Sequence, residues 1–316
     1  MRVVVVDSGY DGYDAERAIL APFGAEVVLR PCDGDTAKVI EAVRDADAVL
    51  VRESPVKRPA IDAMTRCRAI VRYGIGVDNI DQDAARERRI CVANVPDYGA
   101  EEVSDQALGL LLGVVRHVAS RDRAVREGAW NVSRREKMYR VAGRTLGLVG
   151  YGRIARTFER KMRGMGVERV LVFDPYAKDV GAAERVALDV VCREADFVSV
   201  HAPLTPDTRH LLGPAQFALM KPTAIVVNTA RGPLVDEAAL VEALQTRRIQ
   251  GAGIDVYEQE PPRRDHPLFA LDNVVLSDHT GWYSEESVNE LQTKAAEEIA
   301  RVFRGEAPKH WLNRWT

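Results

Sequence analysis

An arginine, a carboxylate and a histidine each stand just beyond an apolar run in the second half of this chain. They are Arg231 in Asn228-Thr229-Ala230-Arg231-Gly232, Glu260 at the end of Asp255-Val-Tyr-Glu-Gln-Glu260, and His279 in Asp278-His279-Thr280-Gly281-Trp282. Ligands of open α/β sheets bind beyond the carboxyl ends of the strands, so these segments are candidates for one site. The three residue types suit hydride transfer at a 2-oxo acid. A guanidinium binds the acid's carboxylate bidentately and polarises the adjoining carbonyl. An imidazolium gives a proton to the oxygen as hydride reaches the carbon, and a carboxylate fixes the imidazole's tautomer.

A hydride needs a carrier, and one stretch reads as its cradle. The apolar run Leu146–Val149 predicts a strand buried on both faces. It ends in Gly150-Tyr151-Gly152-Arg153-Ile154-Ala155, a G-x-G-x-x-A pattern. Gly150 permits the tight turn, Gly152 lets the backbone approach a pyrophosphate, and Ala155 lets the helix pack closely on the strand. The helix, running to about Gly164, turns free N–H groups and its positive dipole end toward the phosphates, with Arg153 and Ile154 in its first turn. Asp174 ends the next apolar run, 24 residues after Gly150, where a carboxylate meets ribose hydroxyls. A carboxylate there repels a 2′-phosphate, and Pro175, Tyr176 and Ala177 follow it rather than an arginine. NAD is therefore the expected cofactor and NADP is disfavoured.

The chain of 316 residues has room for two domains of ordinary size, and its 46% hydrophobic content supports sizeable cores. A net charge of −3 gives no electrostatic case for nucleic acid or an anionic membrane. Cys32, Cys67, Cys91 and Cys192 are scattered and read as reduced thiols. Met1–Asp7 reads as a buried strand rather than a signal segment, and no run approaches membrane-spanning length. A cytoplasmic protein is expected, with the Asn131-Val132-Ser133 sequon idle. No histidine or cysteine grouping suggests a metal site. His117, His210, His266 and His310 stand in no constellation, and Glu258 reads as a bystander to Glu260.

Residues 1–96 alternate strands (Val3–Val6, Glu26–Leu29, Ala48–Val51, Ala69–Arg72, Ile90–Ala93) with helices near Asp14–Leu20, Thr36–Val43, Pro59–Thr65 and Gln82–Glu87. This is a βαβ series and predicts a parallel sheet covered on both faces. A long helix from about Glu101 to His117 follows, apolar on more than one side, then a charged stretch, Arg121–Arg140, read as a solvated arm that includes Arg134, Arg135 and Lys137. Further strands are expected at Phe197–Val200, Ala224–Val227, Ala252–Ile254 and Val274–Leu276, with helices near Leu188–Arg193 and Glu237–Gln245. Ser284–Phe303 predicts a final helix. Asp236 and Glu237 read as an N-cap and a dipole complement. The expected fold is α/β with two doubly wound parallel-sheet domains. A Rossmann NAD-binding domain over 97–284 is inserted into a flavodoxin-like substrate domain formed by 1–96 plus 285–316.

Taken together, these motifs resemble the D-isomer-specific 2-hydroxyacid dehydrogenases along nearly the whole chain. The resemblance is carried by Gly74-Ile75-Gly76-Val77-Asp78-Asn79-Ile80-Asp81, Leu148–Ala155, Asn228–Gly232 with Leu234–Glu237, Gly251–Pro261 and His279–Gly281. It implies that Arg231 binds substrate, Glu260 is the carboxylate partner and His279 the acid/base. It also implies that Asp255 contacts the nicotinamide amide, and that the backbone at Ile75 and Gly76 receives the substrate carboxylate. His201, Ala202 and Pro203, with Thr208, match the adenine-side loop, and Thr229, Ala230 and Gly281 fall in cofactor-binding segments. The nearest branch is similar to phosphoglycerate dehydrogenases and C-terminal binding proteins, which places Trp282 beside the substrate and gives Arg52 and Arg72 acidic substrate groups to bind. The family also implies a homodimer formed through 101–140. Two departures stand out: Asp278 replaces the usual proline before the histidine, and Ile75 replaces a small hydroxyl residue. The chain is also read as lacking, after Thr316, the regulatory domain of long phosphoglycerate dehydrogenases. The reaction expected is oxidation of a D-2-hydroxy acid or reduction of a 2-oxo acid. The alternatives are an NAD(H)-sensing assembly factor with little turnover, or a dehydrogenase of the same fold acting on phosphite or formate.

Overall fold

A computed structural model describes residues 1–130 and 137–315. The Asn131–Ser133 sequon, Arg134, Arg135 and part of the 101–140 segment lie outside the described residues. The chain divides into two compact units, Met1–Gly99 with Ser284–Thr316, and Ala100–Tyr283.

The first unit is a parallel sheet of β1 (Arg2–Val5), β2 (Glu26–Leu29), β3 (Ala48–Val51), β4 (Ala69–Arg72) and β5 (Cys91–Ala93), in the order β2-β1-β3-β4-β5. Between the strands run α1 (Asp14–Leu20), α2 (Thr36–Val43), α3 (Arg58–Ala63) and α4 (Gln82–Glu87). Their starts follow side-chain chemistry: the Asp35 carboxylate accepts the Ala37 and Lys38 N–H groups, and Asp81 accepts that of Ala84. Val4, Val49, Val51, Ile70 and Val92 form the core beneath α2, α3 and α4.

The second unit opens with α5 (Ala100–Val115) and α6 (Val118–Arg126). Its parallel strands are β6 (Thr145–Val149), β7 (Arg169–Phe173), β8 (Glu184–Arg185), β9 (Phe197–Val200), β10 (Ile225–Asn228), β11 (Gly251–Ile254) and β12 (Val274–Leu276), ordered β12-β11-β10-β9-β6-β7-β8. The helices α7 (Arg153–Gly164), α8 (Leu188–Glu194), α9 (Pro214–Leu219) and α10 (Glu237–Gln245) cover it. Both faces are buried: Val226 packs in one core, while Ile225 and Val227 on the same strand pack in the other. The last helix, α11 (Glu285–Phe303), belongs to the first unit, starts from a Ser284 cap and packs on α1 and β4.

Most elements fall where hydrophobic periodicity predicts, with ends displaced by a residue or two. The helix expected to reach His117 stops at Val115, because His117 adopts a left-handed conformation, φ 52°. Helix α6 lies where a solvated arm was expected. It buries no residue, so it carries no apolar stripe for periodicity to detect. Strand β8 is two exposed residues at a sheet edge, and α9 is six residues, both too short for a pattern. The four cysteines are free thiols. Among the described residues no helix is long and apolar enough to cross a membrane.

Candidate active site

In the second unit, β6 runs into Gly150, whose φ of 89° suits glycine, and a Cβ there would sit 2.6 Å from the Ala202 backbone nitrogen. The next N–H, of Tyr151, donates to Asp174 Oδ2 at 2.8 Å and ties the glycine turn to the tip of β7. Asp174 Oδ1 accepts the N–H groups of Tyr176 and Ala177 at 2.8 and 3.0 Å, so its own loop aims the carboxylate. Beside Gly152 no heavy atom lies within 4 Å of a notional Cβ, which leaves open space at the start of α7. Ala155 is fully buried against the sheet with Leu146 and Leu148.

The following strand ends wall the same edge. His201 packs on Phe158, ring centroids 5.6 Å apart, with its Nε2 2.9 Å from Ser199 Oγ. Burial pushes this histidine down to about 3, which keeps it neutral and unfit as a proton donor. Thr208 closes the Pro203 loop by donating to the Pro203 carbonyl at 2.7 Å and accepting the Thr205 N–H at 2.8 Å. Just past β10, the Thr229 hydroxyl is buried with no hydrogen-bond partner among the described residues. An orphaned hydroxyl at a strand end is a place for a ligand to complete. It fits a bound dinucleotide, as does the open space beside Gly152.

Strand register then gathers the chemistry. Asn228 pairs with Ile254, and Ile254 with Leu276, so the loops after β10, β11 and β12 leave the sheet side by side. Asn228 shapes the first of them, accepting the Ala230 N–H at 3.1 Å and donating to the Arg231 carbonyl at 2.9 Å. Glu260 Oε1 accepts the Tyr257 N–H at 2.9 Å, and its Oε2 lies 2.6 Å from His279 Nδ1. Burial raises the Glu260 carboxyl, yet the hydrogen bond and charge of His279, the Tyr257 N–H and the charge of Arg231 outweigh it and hold the group below the usual range. Glu260 is thus an ionised acceptor, and the contact at Nδ1 leaves Nε2 of the imidazole for a substrate. The Asp255 carboxylate, 1% exposed, accepts the Ser277 hydroxyl and the N–H groups of Thr280 and Gly281. Asp278 is exposed and accepts the Thr280 hydroxyl at 3.0 Å. Trp282 stacks edge-on with Tyr283.

His210 and His266 were expected to stand alone, and here the structure differs. His210 Nε2 lies 2.7 Å from Glu258 and His266 Nε2 lies 2.7 Å from Glu237. Glu258 is therefore held against His210, and Glu237 is more than a dipole complement. These pairings span loops far apart in sequence, which no local spacing announces. Among the described residues no group of three histidines, cysteines or acids is placed to hold a metal ion.

In the first unit, Arg52 follows β3 and Arg72 ends β4. Arg72 Nε donates to the Arg52 carbonyl at 3.1 Å, and Arg52 lies 3.1 Å from Glu53. Asp7, unremarked in the sequence, accepts the Arg52, Glu53 and Ser54 N–H groups and the Ser54 hydroxyl, fixing this strand end. Ile75 and Gly76 follow in the next loop, where the Asn94 side chain donates to the Ile75 carbonyl at 2.6 Å. Tyr10 was also missed: its hydroxyl is buried without a partner among the described residues, 6.0 Å separating its ring from the Arg52 guanidinium. A lone tyrosine after a strand gives no sequence signal for this.

Comparison with known proteins places the chain in a family. Residues 108–281 match the D-isomer specific 2-hydroxyacid dehydrogenase, NAD binding domain. The chain belongs to the D-isomer-specific 2-hydroxyacid dehydrogenase family. It is 40% identical over 282 residues to a D-3-phosphoglycerate dehydrogenase of Methanocaldococcus jannaschii, an alignment covering 87% of this chain and 53% of that one. It is 41% identical over 284 residues to a glyoxylate reductase of Korarchaeum cryptofilum, covering 87% and 85% respectively. The chain thus spans about half the length of the first relative and most of the second. Among solved structures, the TT0316 protein of Thermus thermophilus superposes with a TM-score of 0.90 at 34% identity, covering 99% of this chain and all of that one.

Proposed function

We propose that this protein is an NAD-dependent D-2-hydroxyacid dehydrogenase acting on a small 2-oxo or 2-hydroxy acid. The observation that carries the reading is the 2.6 Å contact of His279 Nδ1 with an ionised Glu260 that also feels the charge of Arg231, in the unit holding the Gly150–Gly152 turn. Bound NADH supplies the hydride for the substrate's C2, or NAD accepts it in reverse. The Gly150, Gly152, Arg153, Ile154 turn would hold its pyrophosphate, Asp174 its ribose, and the His201–Pro203 and Thr208 loop its adenine side. Thr229, Ala230, Asp255 and Gly281 would line its nicotinamide end.

The chain's own residues do the rest. Arg231 pairs with the substrate carboxylate and draws electron density from the carbonyl. His279 gives its Nε2 proton to the carbonyl oxygen during reduction, and Glu260 stabilises the imidazolium that precedes the transfer. In the oxidative direction the same nitrogen takes the hydroxyl proton. Ile75, Gly76 and Trp282 are proposed substrate contacts, with Arg52 and Arg72 as ligands for a second acidic group.

A homodimer formed through 101–140 fits the exposed apolar side chains Val118, Val125 and Trp130, the last 84% exposed. Light scattering should give twice the chain mass, and a monomer at micromolar concentration overturns the dimer. A cytoplasmic location is proposed on the reduced cysteines.

The test of function is NADH and NADPH oxidation against glyoxylate, hydroxypyruvate, phosphohydroxypyruvate, 2-oxoglutarate and phenylpyruvate. Oxidation of NADH in preference to NADPH with at least one acid is expected, because Asp174 repels a 2′-phosphate. NADH binding without turnover across the panel overturns the enzymatic reading.

A further inference from the structure

His279 sits in the left-handed backbone region, φ 59°. A side-chain-bearing residue holds such a conformation only where its surroundings over-determine it. Here Asp255 makes the largest share of the contacts that do so. Asp255 accepts three consecutive N–H groups: that of His279 on its carbonyl at 2.8 Å, that of Thr280 on Oδ1 at 3.2 Å and that of Gly281 on Oδ2 at 3.0 Å. Two of these three bonds run to the carboxylate, so the turn carrying the imidazole leans on the Asp255 side chain.

That side chain has its own support. Ser277 Oγ donates to Asp255 Oδ1 at 2.6 Å, and Gln106 Nε2, on α5, donates to Ser277 Oγ at 2.8 Å. The Ser277 carbonyl accepts the Tyr257 hydroxyl at 3.1 Å, and the Tyr257 N–H in turn donates to Glu260. Both members of the His279–Glu260 pair thus connect to Ser277. The space around the relay is closed, for a Cβ on Gly281 would lie 2.8 Å from Asp255 Oδ2 and 3.1 Å from Gln106 Cγ. A hydroxyl that served only to fill this space would not need two strong hydrogen bonds, one to a buried carboxylate.

We propose that Ser277 and Gln106 are positioning residues for His279, setting its aim at Glu260 through the Asp255 carboxylate. The proposal rests on His279 being the acid/base. Ser277→Ala removes the link, Ser277→Thr keeps the hydroxyl, and Gln106→Leu removes the outer donor while leaving Ser277 intact. Amide hydrogen exchange over residues 274–284, measured on the protein without added substrate, should quicken about tenfold in Ser277→Ala and Gln106→Leu and stay as in the parent in Ser277→Thr. With glyoxylate and NADH, kcat should fall roughly tenfold or more in Ser277→Ala. KM and the NADH dissociation constant should stay within about twofold, and Ser277→Thr should restore kcat.

Unchanged exchange in Ser277→Ala overturns the proposal, whatever the activity on glyoxylate. So does a kcat loss matched by a loss of NADH affinity, which would assign Ser277 to the nicotinamide end of the site instead. If Ser277→Ala does not fold, the exchange and kinetics of Gln106→Leu decide in its place. His279→Ala separates the two readings. Retained turnover there removes the acid/base assignment itself. Collapse there with a parent-like Ser277→Ala removes the positioning role alone.

Discussion

His279→Ala should lower turnover on the order of 10²–10⁴-fold, the usual contribution of a positioned general acid. Substrate and cofactor still bind, because Arg231 and the glycine turn are untouched, so the loss falls on kcat and on kcat/KM alike. The variant also strands Glu260. In the parent, burial raises this carboxyl, and His279 is foremost among the groups that bring it back below the usual range. Without the imidazole the upward push of burial has less to oppose it, and Glu260 takes up a proton at a higher pH than before. The sign in the parent follows from the same balance. Glu260 supports His279 at every pH above its lowered value and loses that role only as pH falls through it. Single-turnover measurements with saturating NADH and glyoxylate check the prediction, and near-parental rates in the variant would sink the assignment.

Gly232→Ala should cost about 100-fold in kcat/KM although the residue touches no reacting atom. A Cβ at this position would lie 1.9 Å from both the carbonyl carbon and oxygen of Tyr257, and 2.4 Å from the Glu258 nitrogen. Those are backbone atoms, so no rotamer change relieves the clash, and the Arg231 turn must part from the loop that leads to Glu260. Overpacking of this kind costs about 1–3 kcal/mol of stability, so a lower melting temperature should accompany the kinetic loss. Parental kcat/KM in a folded Gly232→Ala protein would show that the close approach of the two loops is not needed.

Much of this was legible in the chain itself. Buried parallel strands announce themselves as short apolar runs, and a glycine turn between a strand and a helix is a local pattern with local causes. Asp174 could be placed because a βαβ unit has a fixed size. Arg231, Glu260 and His279 could be singled out because each follows a strand. Of the elements the sequence left unseen, α6 and β8 bury nothing and the six-residue α9 buries only Phe217, and burial is what periodicity reports.

What only the tertiary structure decided is which atoms meet. The 2.6 Å contact of His279 with Glu260, the relay from Gln106 through Ser277 to Asp255, and the His210–Glu258 and His266–Glu237 pairs join residues from 19 to 171 positions apart. They depend on the register of β9 through β12, and the relay also on how α5 seats against β10, β11 and β12. Local sequence fixes which residues face the carboxyl edge of a sheet. The angles and distances there come from long-range packing, to which every strand and helix of the unit contributes.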